Sequence, residues 1–430
     1  MKSLNKIILG IFIASSLLLC PGTASARSSQ LNLNHKAIPS LDCVHESESK
    51  LIFPSGNKSM YRFYAKLASI LNGDDKTSIN IVHIGNSHVQ AGVISCRLRD
   101  DFQSMHDTVS GARIPGGNRG MVFPFKVART NGPSDIKFSS TGSWSRSRCL
   151  SRHPDAVLGL SGNAIITSDP RATLTMTVPE KYAFKQLRLL GYAHEGVRPV
   201  IELDGEEIAA QGGDQATGYL FTLPHAVTSC KLEFQGAGQG RTMVVRGLVP
   251  ISQSNGLTYS ASGVNGASLP AWLRCDAMPD ELKLFNPDLV VLAIGVNDAA
   301  GAPGSFSPEK FKERYRQLIA RLREVAPQAA LLFITNNDCG QSVSNHSYNS
   351  NTPLAEQAFL DLAREYGAGV FDVFRIMGGS RSAATWVKNG LQSHDMVHFT
   401  SKGYTILADL LYNALVDDFT QYYIDNYSNQ

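Results

Sequence analysis

Ser87 ends an apolar run in IVHIGNSHVQAG (Ile81 to Gly92), where a short β-branched strand gives way to a helical pattern. A hydroxyl at such a turn lies beyond the carboxyl end of its strand, beside the unpaired N–H groups of the starting helix. That is the setting of a nucleophile with donors ready for an oxyanion. The same serine could instead cap the helix. Far along the chain, SHDMVHFTSKGY sets Asp395 and His398 three residues apart, just before the last helical pattern. A carboxylate that close can fix the ring's tautomer and stabilise its imidazolium. AIGVNDAA places Asn297 after another strand, as an amide donor or as a turn residue. SGVNGAS places Gly263 and Gly266 where backbone can approach a ligand and offer an N–H. A nucleophile, a base, an acid that orients it and oxyanion donors are the parts of nucleophilic acyl transfer, and the order Ser, Asp, His is one of several that build this geometry.

These residues must be brought together by the elements around them. Ser59 to Gly73 has apolar residues at helical spacing and stops at Gly, and INIVHI (Ile79 to Ile84) is a buried strand. His88 to Met105 reads as one helix. From Gly111 to Ser254 the chain is rich in Gly, Pro, Ser and Thr, and strand-like runs recur at Ala172, Phe184, Arg198, Gly218, Cys230 and Thr242. Asp204-Gly205 inside LDGEEI marks a hairpin. This block reads as an all-β sandwich over about 150–253, preceded by an irregular segment from 111. After Asn255 strands and helices alternate again: GLTYSASG, PDLVVLAIG, AALLFIT and AGVFDVF are strands. A helix follows Pro308 behind a Ser307 cap, another ends at Gly367, and the last begins near Thr400 and Ser401. Alternation of this kind gives a parallel sheet with helices on both faces. The expected organisation is a leader over 1–26, an α/β domain in two parts, 27–110 and 255–430, and a β-rich insertion over 111–254.

The leader expectation rests on Lys2 and Lys6, the apolar run Ile7 to Leu19 and the small residues Ala24-Ser25-Ala26. Cleavage after Ala26 is expected to export the chain to the periplasm or the medium, with no membrane insertion afterwards. A lipid anchor at Cys20 is the alternative, disfavoured by the bulk of Leu19. The sequence carries 40 Lys and Arg against 37 Asp and Glu; less the two leader lysines, 38 basic groups remain. That balance gives no basic face for a nucleic acid. Six cysteines lie beyond the leader, widely spaced and without a CxxC pair, and their pattern does not choose among the possible pairings. Oligomeric state is not legible.

Four blocks, GNS (Ser87), NGA (Gly266), GVND (Asn297) and DMVH (Asp395, His398), resemble in order those of the SGNH hydrolase superfamily, the GDSL-type esterases and lipases. The resemblance covers about 75–100 and 255–425. It implies a three-layer α/β/α flavodoxin-like fold of about five parallel strands, interrupted here by the inserted sandwich. It also implies roles: Ser87 attacks, His398 moves the proton, and Asp395 orients His398. The N–H groups of Ser87 and Gly266 and the amide of Asn297 hold the oxyanion, with Gly263 as the other candidate glycine. No metal or cofactor is implied. Asn86 stands where the family usually has Asp, which is not the triad acid. Asn86 and His88 are candidate substrate contacts. Export and the interrupted domain resemble bacterial O-acetylesterases acting on peptidoglycan or other polysaccharides, so an O-acetylated glycan is the expected substrate. An acetyltransferase, a lipase or thioesterase, and an idle carbohydrate-binding protein are the other readings.

HDMVH (His394 to His398) superficially resembles a zinc-binding HExxH but lacks the glutamate and precedes its helix rather than lying in it. GARIPGGNRG (Gly111 to Gly120) lacks the ending of a phosphate loop and is expected to line the catalytic cleft. His194, Trp144 and Trp386 are aromatic residues that could stack on sugars.

Overall fold

The computed structural model describes residues 31–252, 255–342 and 347–427. The leader and Cys20 lie outside the described residues. Among these, no helix is long and apolar enough to cross a membrane.

Five parallel strands build the central sheet. In chain order they are Ser78–Gly85, Gly256–Gly263, Leu289–Ala293, Ala330–Ile334 and Gly369–Phe371. Numbered along the chain, they lie side by side as 2-1-3-4-5, with the two-residue Leu51–Ile52 strand antiparallel at one edge. This is the flavodoxin-like order, whose direction reverses at the first strand. Alternation along that strand sorts its side chains onto two faces. Ile79 and Ile81 join Phe63, Leu98, Phe102 and Leu411 in one core. Val82 and Ile84 join Leu282, Leu318 and Phe359 in the other. The helices over Tyr61–Leu71, Val93–Phe102 and Ser401–Tyr427 thus cover one face, and those over Met278–Phe285, Pro308–Val325 and Thr352–Tyr366 cover the other.

The expected single helix over 88–105 is two. Ser87–Gln90 forms one turn, and a second helix starts at Val93. Gly92 breaks the run with a φ of +81°, and a Cβ there would come within 2.7 Å of Pro133. The break lets the inserted segment pack against the turn that carries Ser87.

The insertion leaves the α/β domain between its first and second strands. Two antiparallel sheets face each other in it. The first has six strands, among them Phe184–Ala193, Gly218–Val227 and Met243–Ile251; the second has five, centred on Ser229–Gln235. Cys230, Leu232 and Phe234 point inward while Lys231, Glu233 and Gln235 do not, the alternation of a half-buried strand. Asp204 and Gly205, both with positive φ, make the hairpin. The sheets begin earlier than 150: Lys137–Thr141 and Ser145–Arg148 are edge strands. Their residues, KFSST and SRSR, carry almost no apolar alternation, so an edge that faces water left no hydrophobic signal.

The Gly-rich stretch does not line the catalytic cleft. Leu257 N–H donates to Pro115 O at 3.1 Å and Gly117 N–H to Leu257 O at 2.9 Å, so residues 115–117 cover the free edge of the Gly256–Gly263 strand near its start. A Cβ on Gly117 would lie 2.6 Å from the Leu257 backbone. Close approach to a neighbouring backbone is what these glycines supply, and a covered edge is protected from pairing with other chains. The domains are further tied by a buried ion pair, Arg246 Nε to Glu281 Oε1 at 2.6 Å, with both side chains fully buried. Glu281 Oε2 also accepts the Leu160 N–H.

Candidate active site

Sheet register sets the site. Gly85 lies level with Gly263 on one side and with Ala293 on the other. The carboxyl ends of three adjacent strands therefore open at one rim, at the point where strand order reverses. Ser87 is two residues beyond Gly85, Gly266 three beyond Gly263, and Asn297 four beyond Ala293. Distances in sequence that looked arbitrary become one row of turns.

At the central turn Asn86 takes the helix cap, its Oδ1 accepting the His88 N–H at 3.2 Å. This decides between the two uses of the serine: with Asn86 capping, the Ser87 hydroxyl is free. It meets His398 Nε2 at 2.8 Å. On the other side of the ring, Nδ1 lies 2.6 Å from Asp395 Oδ2. With Nδ1–H donating to the carboxylate, Nε2 is left as the acceptor for the Ser87 O–H. Asp395 Oδ1 accepts the N–H groups of Val397 and His398, both at 2.9 Å. Burial works against the Asp395 charge, but the His398 ring and these two N–H donors hold its carboxyl below the usual value. The carboxylate thus persists into mild acid.

The loop that carries the pair is braced by residues that sequence did not single out. Met396 adopts a positive φ of 55°. Ser393 N–H donates to His398 O, and Gly340 N–H to Met396 O. Asn337, three residues beyond the fourth strand, donates its amide to Val397 O at 2.9 Å. Its position in TNND, at a strand's carboxyl end, was the available signal.

Gln90 plays the same part for the oxyanion side. Its Oε1 accepts the Asn265 N–H at 2.6 Å, and its Nε2 donates to Asn131 O at 2.6 Å. The turn that carries Ser87, the 264–267 loop and the inserted segment are thereby joined through one side chain. Asn297 Nδ2 donates to Ala267 O at 2.8 Å, which leaves its second amide hydrogen. Among the described residues neither Ser87 N–H nor Gly266 N–H donates a hydrogen bond. Gly266, with φ at +79°, lies in the loop itself. Gly263 is the last residue of its strand, and a Cβ there would come 2.2 Å from the Gln90 nitrogen. Close packing under the turn accounts for Gly263, which leaves Gly266 as the donor candidate.

The two candidate substrate contacts lie behind this front. Asn86 is only 1% exposed, so its side chain builds the turn instead of meeting a ligand. His88 is half-buried; its Nδ1 pairs with the Tyr404 hydroxyl at 2.8 Å, and its ring lies 5.5 Å from that of His398. Burial, and the nearby His398, push the His88 ring down to about 3, so it stays neutral and supports the His398 ring by packing. Trp386 is fully buried in the α/β domain and donates to Cys43 O, so it cannot stack on a sugar. Trp144 packs edge-on against Phe234 in the sandwich, and His194 Nδ1 accepts the Thr242 N–H.

Asp298 follows Asn297 and accepts the Leu269 N–H with both oxygens, at 3.1 and 3.0 Å. Burial pushes its carboxyl up to about 7, against the Leu269 hydrogen bond and the nearby Arg314. The folded chain therefore holds this proton more tightly than the unfolded chain between about pH 4 and 7, and stability falls as pH rises through that window. Asp298→Asn keeps an acceptor and does not titrate. Its thermal midpoint should change with pH less steeply than that of the wild type across that window, and parallel profiles would refute the assignment.

Comparison with known proteins fits this geometry. Residues 238–406 match the family model of the GDSL-like lipases and acylhydrolases, a run that holds Gly266, Asn297, Asp395 and His398; the insertion separates Ser87 from it. No curated protein matches in sequence. Among solved structures, a peptidoglycan O-acetylesterase superposes with a TM-score of 0.69 at 21% identity, covering 86% of this chain and 99% of that one. An acetyl xylan esterase, AlAXEase, covers 37% of this chain and 81% of its own at 24% identity, with a TM-score of 0.29. A lipase/acylhydrolase from Enterococcus faecalis covers 38% and 78% at 16% identity, with a TM-score of 0.30. Only the first score is high enough to bear on the fold, and it spans the α/β domain and the insertion together.

Proposed function

We propose, for a chain that is an SGNH hydrolase with an additional β domain and thus a carboxylic ester hydrolase, that it is exported and removes O-acetyl groups from a glycan through Ser87, His398 and Asp395. The observation that carries the reading is the unbroken chain of hydrogen bonds from Ser87 Oγ through the His398 ring to Asp395.

In this reading Ser87 Oγ attacks the acetyl carbonyl carbon as its proton passes to His398 Nε2. Asp395 stabilises the imidazolium that forms. The tetrahedral oxyanion is held by the N–H groups of Ser87 and Gly266 and the free hydrogen of the Asn297 amide. Collapse expels the sugar hydroxyl, which takes the proton from His398, and leaves acetyl-Ser87. Water then attacks with His398 as base, and acetate departs.

An open site favours a pendant ester on a polymer over a long acyl chain. The His398 and Asp395 side chains are 42% and 45% exposed. The apolar cavity behind the site, about 40 Å³, is lined by His83, His88, Val89 and Phe399 among others but by neither Ser87 nor His398. The wall beyond Gly266 is polar, with Arg148 donating to Asn265 O and Asn265 to Asn131. Likeness in fold to a peptidoglycan O-acetylesterase over both domains supports peptidoglycan as the first substrate to try.

The test is acetate release from O-acetylated peptidoglycan and from O-acetyl xylan, beside a chromogenic acetate ester. Release from peptidoglycan is expected. Hydrolysis of the chromogenic ester alone would overturn the glycan and keep the esterase. Acetyl groups appearing on an acceptor in place of free acetate would make the chain a transferase.

A further inference from the structure

A groove in the insertion backs onto the Ser87 site. It encloses about 520 Å³. Phe125 and Phe138, both half-buried, give it apolar surface, and Lys126 and Lys137, both exposed, line it as well. Thr130 and Pro133 belong to one of its walls. The same short segment also touches the site: Thr130 Oγ1 accepts Gln90 Nε2–H at 3.1 Å, and Asn131 Oδ1 accepts the amide of Asn265, the second residue after Val264 and the one before Gly266. Groove and oxyanion loop therefore share the 130–133 segment as a common wall.

Charge is sharply segregated along this wall. Residues 108–154 hold eight Lys and Arg and a single acid, Asp135. That acid is already taken, by Arg99 at 2.7 Å and Arg119 at 2.8 Å. Arg146 and Arg148 flank the buried Ser147 on an edge strand, so both point to one face. Arg146 Nη1 donates to Ala128 O at 2.8 Å and Arg129 O at 3.1 Å, and Arg148 Nη2 to Asn265 O at 2.9 Å. These partners are carbonyls, which satisfy hydrogen bonds and leave the charge. Arg148 is half-buried, and its Nε is buried without a hydrogen bond. A charge drawn out of water calls for an opposite one. Among the described residues no carboxylate pairs with Lys126, Arg129, Lys137, Arg146 or Arg148, and no Asp or Glu lines the groove.

We propose that the missing counter-charges come from the substrate: the groove holds the polymer beside its acetylated sugar, and these cations bind carboxylates borne on the sugars. The proposal rests on the glycan deacetylase reading and narrows it to anionic strands. Sugar rings offer C–H faces to Phe125 and Phe138, while a carboxylate takes charge-assisted hydrogen bonds from Lys126 and Lys137. Arg148 stands between groove and site, so a strand lying across it runs from the lysines to the Gly266 loop. The occupant is a peptidoglycan glycan strand, which bears a carboxylate on every second sugar once its peptides are removed.

Binding to soluble, peptide-free and deacetylated peptidoglycan strands, measured by calorimetry on the full chain, tests this apart from catalysis. Reducing the strand carboxylates to alcohols should weaken binding about tenfold, as should the Lys126→Gln, Lys137→Gln double variant. Raised salt should weaken the intact strand more than the reduced one. The Lys126→Arg, Lys137→Arg variant keeps both charges and should bind like the wild type; a loss there too would overturn charge as the cause. Equal binding of intact and reduced strands, or no binding of either, overturns the proposal. Polyglutamate bound as tightly as the strand would overturn the sugar, and binding only to strands that keep their peptides would overturn the sugar carboxylate. Acetate release from O-acetylated strands is followed in parallel. Release without carboxylate-dependent binding removes the groove and leaves the deacetylase reading standing. Carboxylate-dependent binding without release upholds the groove and removes that reading.

Discussion

Ser87→Ala is expected to lower kcat on a chromogenic acetate ester on the order of 10⁶-fold, with little change in KM. The whole of that loss comes from one oxygen. Ser87 Oγ is the atom that meets His398 Nε2, and among the described residues no other hydroxyl meets that nitrogen. The residue that caps the turn is Asn86, so the alanine removes no capping bond. The fold should therefore survive, with far-ultraviolet circular dichroism and thermal midpoint close to those of the wild type. Residual activity above the reaction in water, roughly 10³-fold, would come from the oxyanion donors and substrate binding alone. A variant that keeps activity within tenfold of the wild type would remove Ser87 as the nucleophile and the acyl-enzyme with it.

Much of this site was legible because its parts stand where regular structure ends. The apolar run before Gly85, the one before Ala293 and the 3.6-residue period after Ser401 fix three boundaries, and the chemistry-bearing residues sit just beyond them. Register was not legible: nothing in the sequence says that Gly85, Gly263 and Ala293 are level, and that fact brings residues three hundred positions apart to one rim. Gln90 and Asn337 were missed for a related reason. Each acts on backbone remote in sequence, Asn265 and Val397, so the local sequence could place the side chain beyond a strand, as TNND does for Asn337, but not name its partner. The broken helix at Gly92 was hidden by a continuous apolar period, and the two reasons for the glycine, its left-handed φ and the approach of Pro133, show only in the fold. In the insertion, inward-facing strands such as Ser229–Gln235 declared themselves by alternation. The edge strands from Lys137 and Ser145 did not, because a strand wet on most of its surface has no hydrophobic period to show.

Asp395→Asn separates the orienting role of the carboxylate from its charge on the surface. In the wild type Oδ2 takes the His398 Nδ1–H while Oδ1 takes two backbone N–H groups. An amide has one oxygen for these three donors. If the oxygen keeps the two backbone bonds, the NH₂ group faces the ring, and Nδ1 must become an acceptor. The ring proton then moves to Nε2, which can no longer accept from Ser87. The expected result is a fall in kcat of about 10⁴-fold with KM nearly unchanged. Because those backbone bonds survive, the loop over 393–398 should hold and the thermal midpoint should shift only slightly. The Asp395 carboxyl is already held low, so it stays ionised into mild acid and does not itself shut off wild-type activity there. The substituted amide cannot titrate, so the variant's loss should persist across the neutral range instead of being recovered at any one pH. A loss below tenfold would mean that the ring keeps its tautomer without the acid. A large loss accompanied by unfolding would assign Asp395 to the loop instead of the reaction, and the Ser87–His398 pair would then have to work as a dyad.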